Sequence, residues 1–149
     1  MRKAVYHGPL GPLTLTEENG RITSLDWHDR PGEGSDLLNE AVAQLAAYFD
    51  GRLTRFDLPL EFGEGLNADI RRAMSAIPYG ETRTYGDIAK DLGIPAQAVG
   101  QGCGANTIPV IIPCHRVLGA TNLGGFSAKG GVETKVALLK LEGAASLLI

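Results

Sequence analysis

The apolar positions of the chain change period several times, and each change marks an element. Leu13-Thr14-Leu15-Thr16 and Ile22-Thr23-Ser24-Leu25-Asp26-Trp27 are short β-prone runs. Glu18-Asn19-Gly20 lies between them with the Asn-Gly pair that a tight hairpin favours, so the pattern predicts two antiparallel strands. Past the turn-rich stretch Asp29 to Gly34, Leu38, Val42, Leu45 and Phe49 recur at helical spacing, with Ser35 placed to cap the helix and Gly51 to end it. Phe56, Leu58 and Leu60 alternate like a further strand. Glu61-Phe62-Gly63-Glu64-Gly65 then reads as a linker, which predicts a boundary near residue 62 and domains over 1–61 and 62–149.

Beyond the linker the pattern is mainly helical. Ile70, Ala73, Met74 and Ile77 form a stripe stopped by Pro78. Thr84 heads a short helix with Asp87 three residues on, an approximation to a capping box, and Tyr85, Ile88, Ala89 and Leu92 form its apolar side before Gly93-Ile94-Pro95 ends it. A helix of small residues runs from Ala96 to about Ala105, so the pair has helix-turn-helix spacing. Each glycine costs a helix about 1 kcal/mol relative to alanine, so Gly100, Gly102 and Gly104 need a close approach, either by packing or by a groove of nucleic acid. The apolar run Val110-Ile111-Ile112 reads as a buried strand, and a glycine-rich segment spans Gly119 to Gly131. A last helix covers Glu133 to Glu142, burying Val136, Leu138 and Leu139, with Gly143 to end it. Glu142 opposes that helix's dipole unless a cation or imidazole meets it.

Composition narrows the function classes. The 149 residues carry 44% hydrophobic and 21% charged side chains, ordinary for a globular protein with a working core. Net charge is −3, against a strongly basic nucleic-acid binder, but residues 1–63 hold six basic and ten acidic side chains while 64–149 hold eight and seven. The second part is the better candidate to meet phosphate. No apolar run has the length of a membrane span, and Met1-Arg2-Lys3-Ala4-Val5-Tyr6-His7 lacks a signal peptide's apolar core, so a cytoplasmic location is expected. Cys103 and Cys114 are too few for a disulfide scaffold, and three scattered histidines offer no metal site, so no metal is expected.

The reactive candidate is Ile112-Pro113-Cys114-His115-Arg116-Val117, where a thiol, an imidazole and a guanidinium are consecutive. A thiol attacks only as thiolate, and its free pKa of about 8.5 leaves little ionised at neutral pH unless neighbours stabilise the anion. On these residues alone, an activated nucleophile and a buried cysteine beside surface-exposed histidine and arginine both remain open.

The chain resembles the O6-alkylguanine-DNA alkyltransferase family, also called methylated-DNA–protein-cysteine methyltransferases. The resemblance rests on Ile77-Pro78-Tyr79-Gly80-Glu81-Thr82, Thr84-Tyr85-Gly86-Asp87-Ile88-Ala89, Ala98-Val99-Gly100, Asn106, the Pro113 to Val117 run, Gly124-Gly125-Phe126-Ser127 and Leu138 to Gly143, in the family's order over about half the chain. The first part is similar, more loosely, to the family's ribonuclease-H-like domain. The implied fold is α+β: a small ribonuclease-H-like sheet-and-helix domain, then a mainly helical domain with a DNA-binding helix-turn-helix. The implied activity is suicidal, single-turnover repair of alkylated double-stranded DNA by a monomer without a cofactor. The second helix enters the minor groove, the damaged guanine is flipped out at a cost of a few kcal/mol, and the thiolate takes the alkyl group from O6.

Carried over residue by residue, Cys114 is the nucleophile and alkyl acceptor, His115 the base through a water, and Glu142 its orienter. An extended backbone at Cys114 and His115 would point neighbouring side chains apart, which makes the bridging water sensible. Tyr85 would donate to the guanine ring nitrogen and Ser127 to O6. The carbonyls of Cys114 and Val117 would read the exocyclic amine, Phe126 would line the substrate site, and Asn106 would brace the turn after the second helix. Gln97, Ala98, Gly100, Gln101, Thr84 and Arg116 are the implied DNA contacts.

Several positions depart from the family pattern. Gln97 stands where the family has its flipping arginine, and glutamine is shorter and uncharged, so slower flipping is expected unless Arg71, Arg72 or Arg83 compensates. Thr107 replaces a proline, and Leu66-Asn67 and Arg71 stand where Phe-Gln and Trp are usual. Two alternatives follow: a lesion sensor with weak transfer, which Gln97→Arg would convert to a fast acceptor, and a Cys-His thiol hydrolase, for which only His7 and His28 remain as distant bases. Cys103 is expected to pack, with an oxidative link to Cys114 as the minor alternative.

Overall fold

The computed structural model describes residues 1–126 and 130–144. Contacts divide the chain into two compact units, Met1–Glu61 and Phe62–Ile149.

In the first unit, β1 (Arg2–Gly8), β2 (Gly11–Glu18) and β3 (Arg21–Asp26) form an antiparallel sheet in that order, followed by α1 (Asp36–Phe49). The β2–β3 hairpin turns through Asn19 and Gly20, both at positive φ, which is what its twist requires. The two-strand expectation is incomplete: β1 pairs with β2 from Arg2 opposite Glu17 to Gly8 opposite Gly11 and makes β2 the central strand. That position buries Thr14 and Thr16 as well as Leu13 and Leu15. Ser35 caps α1 by accepting the Leu38 amide at 3.1 Å. The helix buries Leu38, Ala41, Leu45 and Tyr48, so its inward stripe is rotated relative to Val42 and Phe49, and Phe49 instead stacks on Tyr6. The predicted strand over Phe56 to Leu60 reduces to one bridge between Leu60 and Ile22, because Pro59 has no amide to donate to a ladder.

The second unit holds α2 (Gly65–Ser75), β4 (Arg83–Thr84), α3 (Tyr85–Leu92), α4 (Ala96–Gly104), a 3-10 turn (Cys114–Arg116), β5 (Val117–Leu118) and α5 (Val132–Leu141). Thr84 and Asp87 form a reciprocal capping box at the start of α3. The Thr84 amide that donates to it holds the exposed Asp87 carboxyl below its usual value. Gly93, at φ 69, ends α3 and turns the chain into α4. The parallel pair β4–β5 places Arg83 opposite Val117, which fixes the start of α3 beside the Cys114 turn. Ile70, Met74, Ile77, Ile88, Val99 and Leu138 are among the buried side chains of this unit.

Val110 to Ile112 do not form the expected strand. The run is a buried turn, with Val110 at φ 72 and the Ile112 amide on the Ile108 carbonyl at 2.9 Å. Asn106 satisfies both sides of it, donating to Ile112 O at 2.9 Å and accepting from Ile108 N at 3.1 Å, so no ladder partner is needed. The three glycines of α4 divide by role. A Cβ on Gly102 would collide with the Ile70 side chain, whereas Gly100 and Gly104 would meet nothing. Packing therefore accounts for Gly102 alone. Arg71 is buried and donates to Phe62 O at 3.1 Å and Ala105 O at 2.8 Å, tying α2 to the end of α4, which withdraws it from any compensating DNA role. Among the described residues no helix is long and apolar enough to cross a membrane.

Candidate active site

A pocket of about 550 Å³ opens in the second unit. Tyr85 lines it from α3, Gly100, Cys103 and Gly104 from α4, Cys114 from the turn, and Gly125 and Phe126 from the glycine-rich segment. Cys114 is 9% exposed. The backbone at the thiol is a 3-10 turn, so the extended geometry that would have pointed the side chains apart is not the one present; Cys114 N bonds Ile112 O at 2.8 Å and Arg116 N bonds Pro113 O at 3.0 Å. The turn sends Cys114 to the pocket and His115 and Arg116 into the core.

Those two side chains converge on Glu142, the C-cap of α5. His115 Nε2 lies 2.7 Å from Glu142 Oε2, and Arg116 grips the same carboxylate through Nε at 2.8 Å and Nη2 at 3.0 Å. Arg116 Nη1 also donates to Ile77 O at 2.7 Å. The unfavourable dipole position of Glu142 is thus met by a guanidinium and an imidazole together. Arg116, expected to contact DNA, is buried and committed to this carboxylate. Gly143, at φ 65, ends the helix just past it.

Burial holds the His115 imidazole below its usual pKa; the bond to Glu142 opposes the shift, and Arg116 and Lys135 add to it. The ring is therefore neutral at pH 7. A carboxylate only accepts, so Nε2 carries the proton and Nδ1 presents a lone pair, with no hydrogen-bond partner among the described residues. Burial pushes the Cys114 thiol up, while a hydrogen bond from Asn106, the charge of Lys135 and the amides of Cys114 and His115 favour the thiolate. The arrangement suits a nucleophile un-ionised at rest and deprotonated by a neighbouring neutral base.

The remaining candidates are placed as follows. Tyr85 is half-buried in the pocket wall with its hydroxyl pushed up by burial, and a Cβ on Gly124 would collide with it. Val117 is buried in β5, and Phe126 is half-buried at the pocket. Thr84 spends its side chain on the cap of α3. Gln97 and Gln101 are exposed on α4, Ala98 and Gly100 partly so. Ser127 lies outside the described residues. Cys103 reaches the pocket from α4, packs at 3.4 Å from Met74 Sδ, and burial pushes its thiol up to about 12. Among the described residues no cluster of three or more metal-ligating side chains forms.

Lys135 was not among the sequence candidates. It is 0% exposed and donates to Val117 O at 2.6 Å and Gly125 O at 3.2 Å. The sequence carries a signal for it: positions 135, 138, 139 and 142 share one helical face, with Leu138 and Leu139 inward and Glu142 acidic.

Residues 66–144 match the DNA binding domain of 6-O-methylguanine DNA methyltransferase, and residues 1–62 match its ribonuclease-like domain. A methylated-DNA–protein-cysteine methyltransferase of Mycobacterium bovis is 43% identical, covering 90% of this chain and 87% of its own. One from Methanosarcina acetivorans is 38% identical over 96% of this chain and 99% of its own. The crystal structure of Mycobacterium tuberculosis OGT in complex with DNA superposes with a TM-score of 0.87 at 41% identity, covering 97% of this chain and 94% of that one. With both units matched and relatives this similar along nearly the whole length, the chain belongs to the methylated-DNA–protein-cysteine methyltransferase family.

Proposed function

We propose that this protein repairs O6-alkylguanine in double-stranded DNA by taking the alkyl group onto Cys114 in a single turnover. The observation that carries the reading is a pocket-facing Cys114 followed in the chain by a neutral His115 whose Nε2 is spent on Glu142 and whose Nδ1 is left to accept a proton. In this reading a water passes the thiol proton to Nδ1, the thiolate sulfur attacks the alkyl carbon, and the bond from that carbon to O6 breaks. The departing guanine receives hydrogen bonds from Tyr85 at its ring nitrogen and, in the family's pattern, from Ser127 at O6. The product thioether is stable, so each chain acts once.

The second unit carries this chemistry, with α3 and α4 as the DNA-binding pair. Gly100 and Gly104 have nothing packed over them, which supports close approach of the α4 backbone to a groove. Val117 O already accepts from Lys135, and a carbonyl oxygen has a second lone pair for the guanine amine. A DNA substrate also supports the cytoplasmic location.

The test is mass measurement after incubation with a duplex containing one O6-methylguanine. Wild type should gain one methyl group, mapped to Cys114 and abolished in Cys114→Ser. No gain after long incubation sinks the reading. A second reading, a lesion sensor with weak transfer, is favoured by one observation, the exposed Gln97 on the first turn of α4. It predicts that Gln97→Arg speeds transfer severalfold, and it fails if wild type and variant react at the same rate.

A further inference from the structure

Among the described residues Lys135 is a buried cation that no carboxylate pairs with, although a buried charge left unpaired is costly. Two of an ammonium's three hydrogens go to Val117 O and Gly125 O. Its nitrogen also lies 5.9 Å from the centre of the Tyr85 ring. One side chain of α5 thus joins β5, the glycine-rich segment and α3, the walls around the thiol. The site keeps a positive charge but holds no formal anion to match it until Cys114 ionises. Resting on the alkyl-transfer reading, we propose that Lys135 is a positioning residue for that step: it holds the Val117 and Gly125 walls together and supplies the charge against which the Cys114 thiolate forms.

The charge balance is simple. The thiol proton leaves for His115 Nδ1, the sulfur becomes negative, and Lys135 remains protonated beside it. Burial lowers the affinity of Lys135 for its own proton, and the thiols of Cys114 and Cys103 are the groups that raise it, so cation and thiolate favour each other. The other titratable groups around them are Tyr85 on α3, Cys103 on α4, His115 and Arg116 on the turn and Glu142 at the end of α5. Glu142 is gripped by Arg116 and His115, and the thiol of Cys103 is pushed up to about 12, which leaves Cys114, drawn toward the thiolate by Lys135 against the opposing effect of burial, as the group whose ionisation Lys135 can assist.

The test is the rate at which iodoacetamide alkylates Cys114, followed against pH in wild type and Lys135→Met, with peptide mass mapping to count Cys103 separately. Lys135→Met should move the midpoint up by about one pH unit, making the reaction about tenfold slower near neutrality, with recovery to the wild-type rate once pH exceeds both midpoints. Superimposed profiles overturn the proposal, and so does a variant slow at every pH, because that is the signature of a collapsed pocket without a charge effect. A reciprocal measurement does not depend on Lys135→Met folding. The Lys135 amine, followed by nitrogen-15 NMR, should lose its proton at lower pH in Cys114→Ser than in wild type, and an unmoved midpoint overturns the proposal. Methyl transfer from the O6-methylguanine duplex is measured alongside. Its absence in wild type counts against the repair function, while the thiol profile still decides the role of Lys135.

Discussion

Arg116 and His115 show how much of the site's behaviour is decided by single side chains. Replacing Arg116 by alanine leaves Glu142 buried without its bidentate partner, which should cost about 3–5 kcal/mol in urea unfolding. The salt dependence of DNA binding should stay as in wild type, because the guanidinium is spent on the core. A variant whose binding became less salt-sensitive would return Arg116 to the DNA surface. For His115 the direction of the pKa shift sets the acid limb of the reaction. Burial holds the imidazole below its ordinary value of about 6.5, so it remains an unprotonated base through that value and loses function only at lower pH. The single-turnover rate should therefore fall with an apparent pKa below about 6.5; a limb at or above that value would mean that another group takes the proton.

At the scale of elements, the glycines of α4 offer a matched pair of tests. Gly102→Ala puts a methyl against Ile70 where there is no space, and overpacking of this kind costs about 1–3 kcal/mol. Gly100→Ala meets open space and improves helix propensity, so it should stabilise the fold by up to about 1 kcal/mol while slowing transfer by narrowing the pocket mouth. Thermal melting of the two variants should move in opposite directions. These elements also mark where the sequence was legible. Caps are local, and Ser35, the Thr84–Asp87 box and Gly93 could be read from their own neighbourhoods. Pairing is not local: β1 exists because β2 lies beside it, and the alternating run ending at Leu60 stays a single bridge. Val110 to Ile112 looked like a strand because burial and strand share the same apolar signature, and only Asn106 revealed how a turn satisfies that backbone. Cys114, His115 and the distant Glu142 were recoverable through the family's spacing, and the last two are in contact in the fold. Lys135 was not, since a charged residue in a helix is read as outward unless its face is compared with its neighbours.

At the scale of the whole molecule, charge is the informative quantity. The chain is acidic at −3, and α4, Ala96–Gly104, has no lysine or arginine along its length. Of the other arginines in the second unit, Arg72 lies over Phe62 and Arg83 pairs with Asp91 at 2.8 Å. Among the described residues the exposed cations of the unit, Arg72, Lys90 and Lys140, lie outside α4, so phosphate attraction near the pocket is limited and the groove and the pocket supply the rest of the affinity for a lesion. Titration of binding against salt should give a shallow slope, about −1 to −2 in log–log form, as expected for one or two phosphate contacts. A much steeper slope would show a broader basic surface at work.

The link between His115 and Glu142 spans 27 positions of sequence, and this separation sets a timetable for synthesis. At about 5–20 residues per second, a ribosome places Cys114 in the chain one to several seconds before the carboxylate that His115 bonds. During that interval the thiol is an ordinary one, with neither the network that draws off its proton nor the burial that keeps it un-ionised and covered. A protein that can react only once is therefore open to being spent on a passing electrophile until α5 has been made and the fold has closed around Cys114.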